Sequence, residues 1–376
     1  MNELAVNLMR LRKLNGLTQQ AVAEAAGISR VAYRNLEKGD AEPREGTLQA
    51  LAKALNASVL DLMAPVPQLQ SLRYRATRNM SVQEQAEGEQ LVVRSANWLR
   101  DFNELEDLLK QKRKSLLKPV RKGTSPEAAA AQVRQQLLGN KTACDCLPDF
   151  CELLENSGIK LFLCDFKLSN LFGISIGEAD GGPAIAINTG KNISVERQIF
   201  SLAHEIGHLM LHKETYSWHG NPADADDEKQ EREADQFAAA FLMPREQFTA
   251  EWNENRGLHW IDAVLKTKRH FKVSYQAVLR QLIEMGKAES PAIYKQFRAD
   301  YAKRYGKELH WKEEPPCLIK EEPCNLDPLD LMEDRLGSLV RDALDKELIT
   351  VSRAGEILDI GIEDMRERMK SWEVVS

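Results

Sequence analysis

Phe200-Ser201-Leu202-Ala203-His204-Glu205-Ile206-Gly207-His208-Leu209-Met210-Leu211-His212 carries two histidines four residues apart, with a glutamate beside the first. On an α-helix, positions i and i+4 lie on one face about one turn apart, so His204 and His208 can share one zinc ion. Glu205 then stands where a general base for a water at that ion is needed. Ile199, Phe200, Leu202, Ala203, Ile206, Leu209 and Met210 make the helix, read as 194–212, apolar over most of its surface. Two histidines and a carboxylate in a buried helix need partners. Core histidines satisfied by hydrogen bonds are the plain alternative, and they leave the intervening glutamate unexplained.

Zinc in a catalytic site takes a third protein ligand and keeps a fourth position open. His212, eight residues after His204, lies about 12 Å along an unbroken helix, too far for ligands that each bind at about 2.1 Å. The next helix, read as 226–242, has Ala234, Phe237, Ala238, Phe241 and Leu242 as its inward stripe. At about 100° per residue, Glu231 falls about 50° from the centre of that stripe and Glu233 about 110° away. Glu231 is therefore the expected third ligand, with Glu233 as the fallback. Asp235, four residues after Glu231, is placed to accept a hydrogen bond from the far nitrogen of a liganding histidine. Zinc is the expected ion, with another divalent metal such as manganese as the alternative.

Before the histidines, three apolar runs at 159–165, 172–176 and 184–188 are separated by Gly and Asp turns and read as strands of a small sheet. Helices are expected at 126–138, 148–156, 260–271 and 275–285, and further ones at 329–347 and 353–370. The stretch 291–328 is rich in charge and proline and shows no clear period.

Residues 1–64 read as a bundle of short helices. Leu4, Leu8, Leu11 and Leu14 are spaced for one helix, a Thr-capped run starts at Thr18, Gly27 ends it, and Ser29 caps the next. Two short helices at 47–55 and 58–63 complete it. A capped helix, a glycine turn and a second capped helix form helix-turn-helix grammar. The second helix is expected to bury Ala32 and Leu36 and to present Arg30, Val31, Arg34 and Asn35 outward, residue types that read base edges and phosphates. Pro65 and Pro67 mark a boundary. From 81 to 118 one long helix is expected, with Leu91, Trp98, Phe102, Leu105, Leu109 and Leu116 near heptad positions, serving either dimerisation or packing on a neighbouring domain.

Composition agrees with a folded intracellular chain: 43% of its 376 residues are hydrophobic and 29% charged, which excludes general disorder. No apolar run approaches the length of a membrane span and no secretory leader is visible, so a cytoplasmic protein is expected. The six cysteines include no C-x-x-C pair and are expected to be free thiols; Cys144, Cys146 and Cys151 cluster, but at spacings that fit no zinc pattern. Residues 1–125 carry 20 Lys/Arg against 14 Asp/Glu, the remainder 31 against 43. A basic first third suits a polyanion such as duplex DNA.

The N-terminal stretch, with Leu17-Thr18-Gln19, Gly27-Ile28-Ser29 and Leu36-Glu37-Lys38-Gly39, resembles the XRE (Cro/C1-type) family. That resemblance implies that Gln19 and Ser29 contact backbone or bases, that Arg30, Val31 and Asn35 enter the major groove, and that Arg34 or Arg44 touches phosphate. The 200–212 helix, with Glu231 to Asp235 and Phe237 to Pro244, resembles the ImmA/IrrE family of metallopeptidases from about 127 to 286, apart from Ser201, where Thr is common. Its Glu-x-x-Ala-Asp element is also similar to that of other gluzincin-type peptidases.

The expected protein is mainly α with a small β-sheet (α+β): an all-α helix-turn-helix domain at 1–65, a long helix and linker at 66–125, a zincin-like metallopeptidase domain at 126–288 and a helical region at 289–376. The resemblance implies a dimeric regulator that binds an operator and cleaves a repressor or neighbouring gene product in stress, mobile-element or phage-defence responses. A repressor or antitoxin whose zinc domain only senses a ligand or docks a partner is the alternative. Tyr216, His219 and His259 are the candidates for stabilising an oxyanion.

Overall fold

The computed structural model describes residues 3–63, 69, 71–73, 81–139, 147, 149–168, 170–213, 216, 228–289, 292–310, 326 and 328–374, with only the backbone at 14, 60, 61, 72 and 82. Cys144, Cys146, Cys317, Cys324, His219 and the Pro65–Pro67 boundary lie outside these. The chain divides into two compact units, one of residues 1–69, 76–100 and 166–170, the other of 70–75, 101–165 and 171–376.

The first unit contains α1 (Glu3–Leu14), α2 (Gln19–Ala25), α3 (Arg30–Lys38), α4 (Glu45–Ala54) and α5 (Val59–Met63). Thr18 and Ser29 cap α2 and α3 by accepting the amides of Ala21 and Ala32. Gly39, with φ 79°, stops α3 in the left-handed region. Leu8, Val22, Ala23, Tyr33, Leu51 and Leu62 form the centre of the core. Leu36 is buried as expected, but one expectation is corrected here: Ala32 is exposed, and α3 buries Tyr33 and Glu37 instead. Arg12 fixes that phase, since its Nε donates to Glu37 at 2.6 Å and pulls the glutamate inward.

In the second unit the two-residue β1 (Leu72–Arg73) precedes a long helix, α6 (Val82–Leu109), whose C-terminal part belongs to this unit. The helix expected to reach 118 stops at Leu109. Lys110 turns left-handed (φ 54°), and the amides of Lys110 and Gln111 close back on Asp107 and Glu106. Beyond it the chain runs without a helix, and the heptad residue Leu116 is 61% exposed.

Then follow α7 (Pro126–Leu138), α8 (Phe150–Asn156), β2 (Lys160–Cys164), β3 (Gly173–Ile176), β4 (Ala184–Asn188), α9 (Val195–Leu211) and α10 (Glu228–Leu242). The sheet has the order β1-β3-β4-β2, with β2 parallel to β4 and β3 antiparallel to both neighbours. Helix α9 packs on β3 and β4, and α10 packs on α9 and α7. The four apolar residues of β4 and its Asn188 are all buried, as in a strand covered on both faces. Cys151 is a buried free thiol whose pKa burial pushes up, and Cys164 is buried at the end of β2.

Helices α11 (Arg245–Glu254), α12 (Trp260–Phe271), α13 (Tyr275–Glu284) and α14 (Ala292–Tyr305) complete this core. Helix α14 overturns the expected boundary at 288: Phe297 and Tyr301 are fully buried in the core that holds Ile199 and Phe241, and Phe297 stacks on Tyr275 at 4.7 Å. The C-terminal region forms α15 (Arg335–Asp345), α16 (Val351–Leu358) and α17 (Ile362–Glu373). The helix expected at 353–370 is two helices, because Asp359 adopts φ 54° and ends α16. Among the described residues, no helix is long and apolar enough to cross a membrane.

The C-terminal helices are tied down by buried charge. The Arg335 guanidinium reaches Glu106 at 2.6 Å and the carbonyl of Gln111 at 2.8 Å, Lys160 lies 3.4 Å from the other oxygen of Glu106, and Glu155 accepts the amides that open α15. Arg353 adds Asp101 at 2.8 Å. Removing one member of a buried pair strands the other, at a cost of about 3 kcal/mol. Arg335→Ala should therefore lower the amide-exchange protection of α15 to α17, while α9 and α10 keep theirs.

Candidate metal centre

Ser194 starts α9 by accepting the Arg197 amide, and the apolar face of the helix is buried against the sheet. This orients the two histidines toward α10. The His204 and His208 rings meet edge to face at 4.6 Å, with their Nε2 atoms 3.0 Å apart. Glu231 enters from α10, with one carboxylate oxygen 3.4 Å from His204 Nε2 and the other 3.3 Å from His208 Nε2. Gly207 permits this approach, because a Cβ there would lie 3.1 Å from Phe237 and 3.2 Å from the Ala234 backbone.

The ligand atoms of His204, His208 and Glu231 all lie within 4.8 Å of one another. Three donors bound at about 2.1 Å around a tetrahedral ion stand about 3.4 Å apart. The donor set and its spacing therefore fit zinc. Glu233, the fallback ligand, points elsewhere.

Both histidines are held from behind. His204 Nδ1 meets Asp235 at 2.9 Å. His208 Nδ1 meets His212 Nδ1 at 2.9 Å, and His212 Nε2 meets Glu233 at 3.1 Å. Helix geometry keeps His212 off the ion, and its supporting role was signalled in the sequence only by the i+4 spacing from His208. Charge follows the same pattern. Burial pushes His208 down to about 3. His204, although burial works the other way, is raised to about 10 by its hydrogen bonds to Asp235 and Glu231. Burial would raise Glu231 too, but its bonds to both histidines hold it well below the carboxylate range. Burial also lowers His212.

Glu205 is buried on the sheet side, where burial raises its pKa. Ser175 Oγ donates to its Oε2 at 2.5 Å, and Tyr216, whose hydroxyl lies 2.6 Å from Ser175 Oγ, donates in turn because the serine proton is committed. A Cβ on Gly173 would fall 2.8 Å from Glu205 Cγ. Gly173 and Ser175 thus form the small, polar face of β3 on which the glutamate rests. Tyr216 supports Ser175 here, and the exposed His259 caps α12 by accepting the Ile261 amide. Sequence reasoning missed Ser175, and it also missed Arg73, which donates to Gln230 at 2.6 Å and reaches Glu231 at 3.3 Å.

In the first unit, Arg30, Val31 and Arg34 are exposed on α3, with Val31 61% accessible, and Asn35 is half-buried. Arg44 is exposed before α4, and Ser29 uses its hydroxyl as the α3 cap. Gln19 donates to Glu37 at 2.7 Å, so its amide is engaged within the domain.

A capped helix pair with an exposed arginine-bearing second helix, and a His-Glu-x-x-His helix completed by a glutamate from the next helix, define the class: a regulator-type helix-turn-helix module joined to a metallopeptidase-like domain. Two family models match the chain, a helix-turn-helix model at residues 8–62 and a peptidase M78 model, described as an IrrE N-terminal-like domain, at residues 154–282. The HTH-type transcriptional regulator y4dJ of Sinorhizobium fredii is 41% identical over 59 residues, 16% of this chain and 77% of that protein. A crystal structure of Bacillus thuringiensis PlcR in complex with the peptide PapR7 and DNA aligns over 99% of each chain at 12% identity with a TM-score of 0.18, a level at which no common fold is read. The chain belongs to the XRE-type helix-turn-helix regulators through residues 8–62 and carries an ImmA/IrrE-type M78 domain at 154–282.

Partners of a liganding histidine are worth about 10- to 100-fold in metal affinity. Asp235→Asn should weaken zinc binding by that factor in a competition titration with a chromogenic chelator. An unchanged affinity would remove Asp235 from this role.

Proposed function

We propose that the protein is a DNA-binding transcriptional regulator whose M78 domain is a zinc-dependent endopeptidase acting on a repressor-like protein. The observation that carries this is the convergence of His204, His208 and Glu231 within 4.8 Å, with the buried Glu205 beside them on an independent support. A zinc ion held by these three residues would polarise the scissile carbonyl and acidify water. Glu205 takes the proton of the attacking water and delivers it to the leaving amine. Ser175 keeps the Glu205 carboxylate turned to one rotamer, so the proton acceptor is already placed when substrate arrives. Asp235 and His212 hold the imidazoles in the tautomer that leaves both Nε2 atoms as donors to the ion.

The repressor-like substrate is supported by the resemblance to the ImmA/IrrE family and by the regulator module on the same chain. Glu205→Gln keeps the ligands and removes the base, so it should lower cleavage by about 100- to 10,000-fold while zinc content is retained. Co-expression of wild type and variant with the neighbouring gene products, followed by a search for metal-dependent fragments, tests this. Intact partners beside a zinc-loaded wild type would leave the domain as a sensing or docking module.

DNA binding is proposed to run through α3 as a dimer on a duplex operator, with Arg30, Val31 and Asn35 toward the bases and Arg34 and Arg44 toward phosphate. Arg34→Ala should weaken binding to any duplex and reduce the salt slope of the affinity by about 1. Fluorescence anisotropy across a salt series reads this, and an unchanged slope would take Arg34 off the phosphates.

A further inference from the structure

Attack of water on a peptide bond puts negative charge on the carbonyl oxygen, and a donor placed for that oxygen is usually the largest single contribution to the rate. Of the residues that the sequence offers for this, Tyr216 gives its hydroxyl proton to Ser175, and His259 caps α12. His212 is held between His208 and Glu233. Among the described residues, the cation that reaches a ligand of the centre itself is Arg73. It also lies outside residues 154–282, the stretch that the M78 model matches, so the centre takes it from the segment that precedes the domain.

Arg73 stands on β1 opposite Ser175. Residues directly opposite in an antiparallel pair project from the same face of the sheet, so Arg73 leaves β1 on the face where Ser175 meets Glu205 at 2.5 Å. Its guanidinium ends at α10, where Nη1 donates to Gln230 at 2.6 Å and Nη2 to Glu231 Oε1 at 3.3 Å. That same oxygen is 3.3 Å from His208 Nε2. The cation therefore spans from the base to a metal ligand, and its charge acts on Glu205, His208, His212 and Tyr216. At 6% exposure little water screens it. A guanidinium presents its donors as a planar fork, so one arm can keep Gln230 while the other turns to an oxygen beside Glu231.

We propose that Arg73 is a further catalytic residue, the donor that holds the carbonyl oxygen of the scissile bond as that oxygen becomes negative. This rests on the peptidase reading, whereas the preference for anionic ligands that Arg73 gives the centre does not. In the step itself the water oxygen bonds to the carbonyl carbon, the π pair of the carbonyl moves onto its oxygen, and a water proton passes to Glu205. Arg73 donates an N–H to that oxygen and transfers no proton. When the pair returns, the carbon–nitrogen bond breaks and the amine leaves with the proton from Glu205. A guanidinium suits this task because it stays charged throughout and its donors are in place before the charge develops. Pairing with Glu231 alone would make Arg73 a support of the ligand, and the two roles differ in which ligands of the centre they favour.

The test uses the full chain loaded with cobalt(II), whose visible spectrum reports a ligand entering the open position, and two probes: methylphosphonate, a tetrahedral oxyanion, and imidazole, which is neutral. Arg73→Gln should weaken methylphosphonate by about tenfold or more and leave imidazole within about twofold of wild type. Arg73→Lys, which keeps the charge and loses the fork, should recover part of the anion affinity. Equal losses for both probes would make Arg73 a support of Glu231 only and overturn the proposal. So would unchanged affinities, or a wild-type chain that takes imidazole and refuses methylphosphonate. If Arg73→Gln does not load cobalt, Arg73→Lys carries the comparison, with a smaller loss expected for the anion and none for imidazole. On a partner cleaved in the co-expression experiment, Arg73→Gln should lower kcat by about 100-fold with KM little changed. A fall in kcat/KM that comes wholly from KM would overturn the catalytic role. If the anion preference stands and wild type cleaves no partner, the peptidase reading fails, the catalytic role of Arg73 falls with it, and the anion site remains.

Discussion

The separation of α9 and α10 where they cross governs everything the centre can do. Packed helices stand about 8–10 Å apart according to the side chains between them. Here a Cβ on Gly207 would stand only 3.1 Å from the Phe237 ring and 3.2 Å from the Ala234 backbone, so the glycine permits a close approach of the two helices. Glu231 lies one helical turn before Ala234 and His208 one residue after Gly207, so the ligands inherit that spacing almost without lever arm. Metal–ligand distances tolerate errors of about 0.2 Å. A larger side chain at position 207 would move Glu231 by several times that amount.

The sheet constrains the other side. A carboxyl group taken out of water is strongly disfavoured unless it is bonded, and Glu205 is almost fully enclosed. Ser175 and Tyr216 supply the bonds in series, and Gly173 supplies the space. On the α10 side, Asp235, His204, Glu231, His208, His212 and Glu233 form one continuous polar chain in which each ring nitrogen has a partner. Complete networks of this sort rigidify a site, while partial ones destabilise it. The two halves meet at neighbouring residues, His204 and Glu205, which a helix directs to different faces, and Arg73 joins them a second time, lying opposite Ser175 and reaching Glu231.

Features set by local periodicity were legible in the sequence. The i, i+4 histidines, the inward stripe of α10 and the caps at Thr18 and Ser29 each depend on neighbours within a turn or two. Features set by distant partners were not. The register of strand β1 depends on β3, about a hundred residues later. Arg73 is 158 positions from Glu231. The phase of α3 was misjudged because Ala32 and Tyr33 fit an inward position equally well until the Arg12–Glu37 pair, 25 residues apart, decides between them. Helix α14 was obscured by its charge, since Lys295, Arg298, Lys303 and Arg304 mask the spacing of Phe297 and Tyr301.

Charge is distributed unevenly between the two parts of the chain. Among the described residues after 125, the buried charged side chains are the cations Arg134, Lys160, Lys268 and Arg335 and the carboxyls Glu155, Glu196 and Glu205, so the described interior does not carry the acidic surplus of that part of the chain. The surplus lies outside it, where it repels phosphate and favours cationic side chains approaching from solution. The first unit does the reverse on α3, with Arg30 and Arg34 exposed and its buried Glu37 neutralised by Arg12.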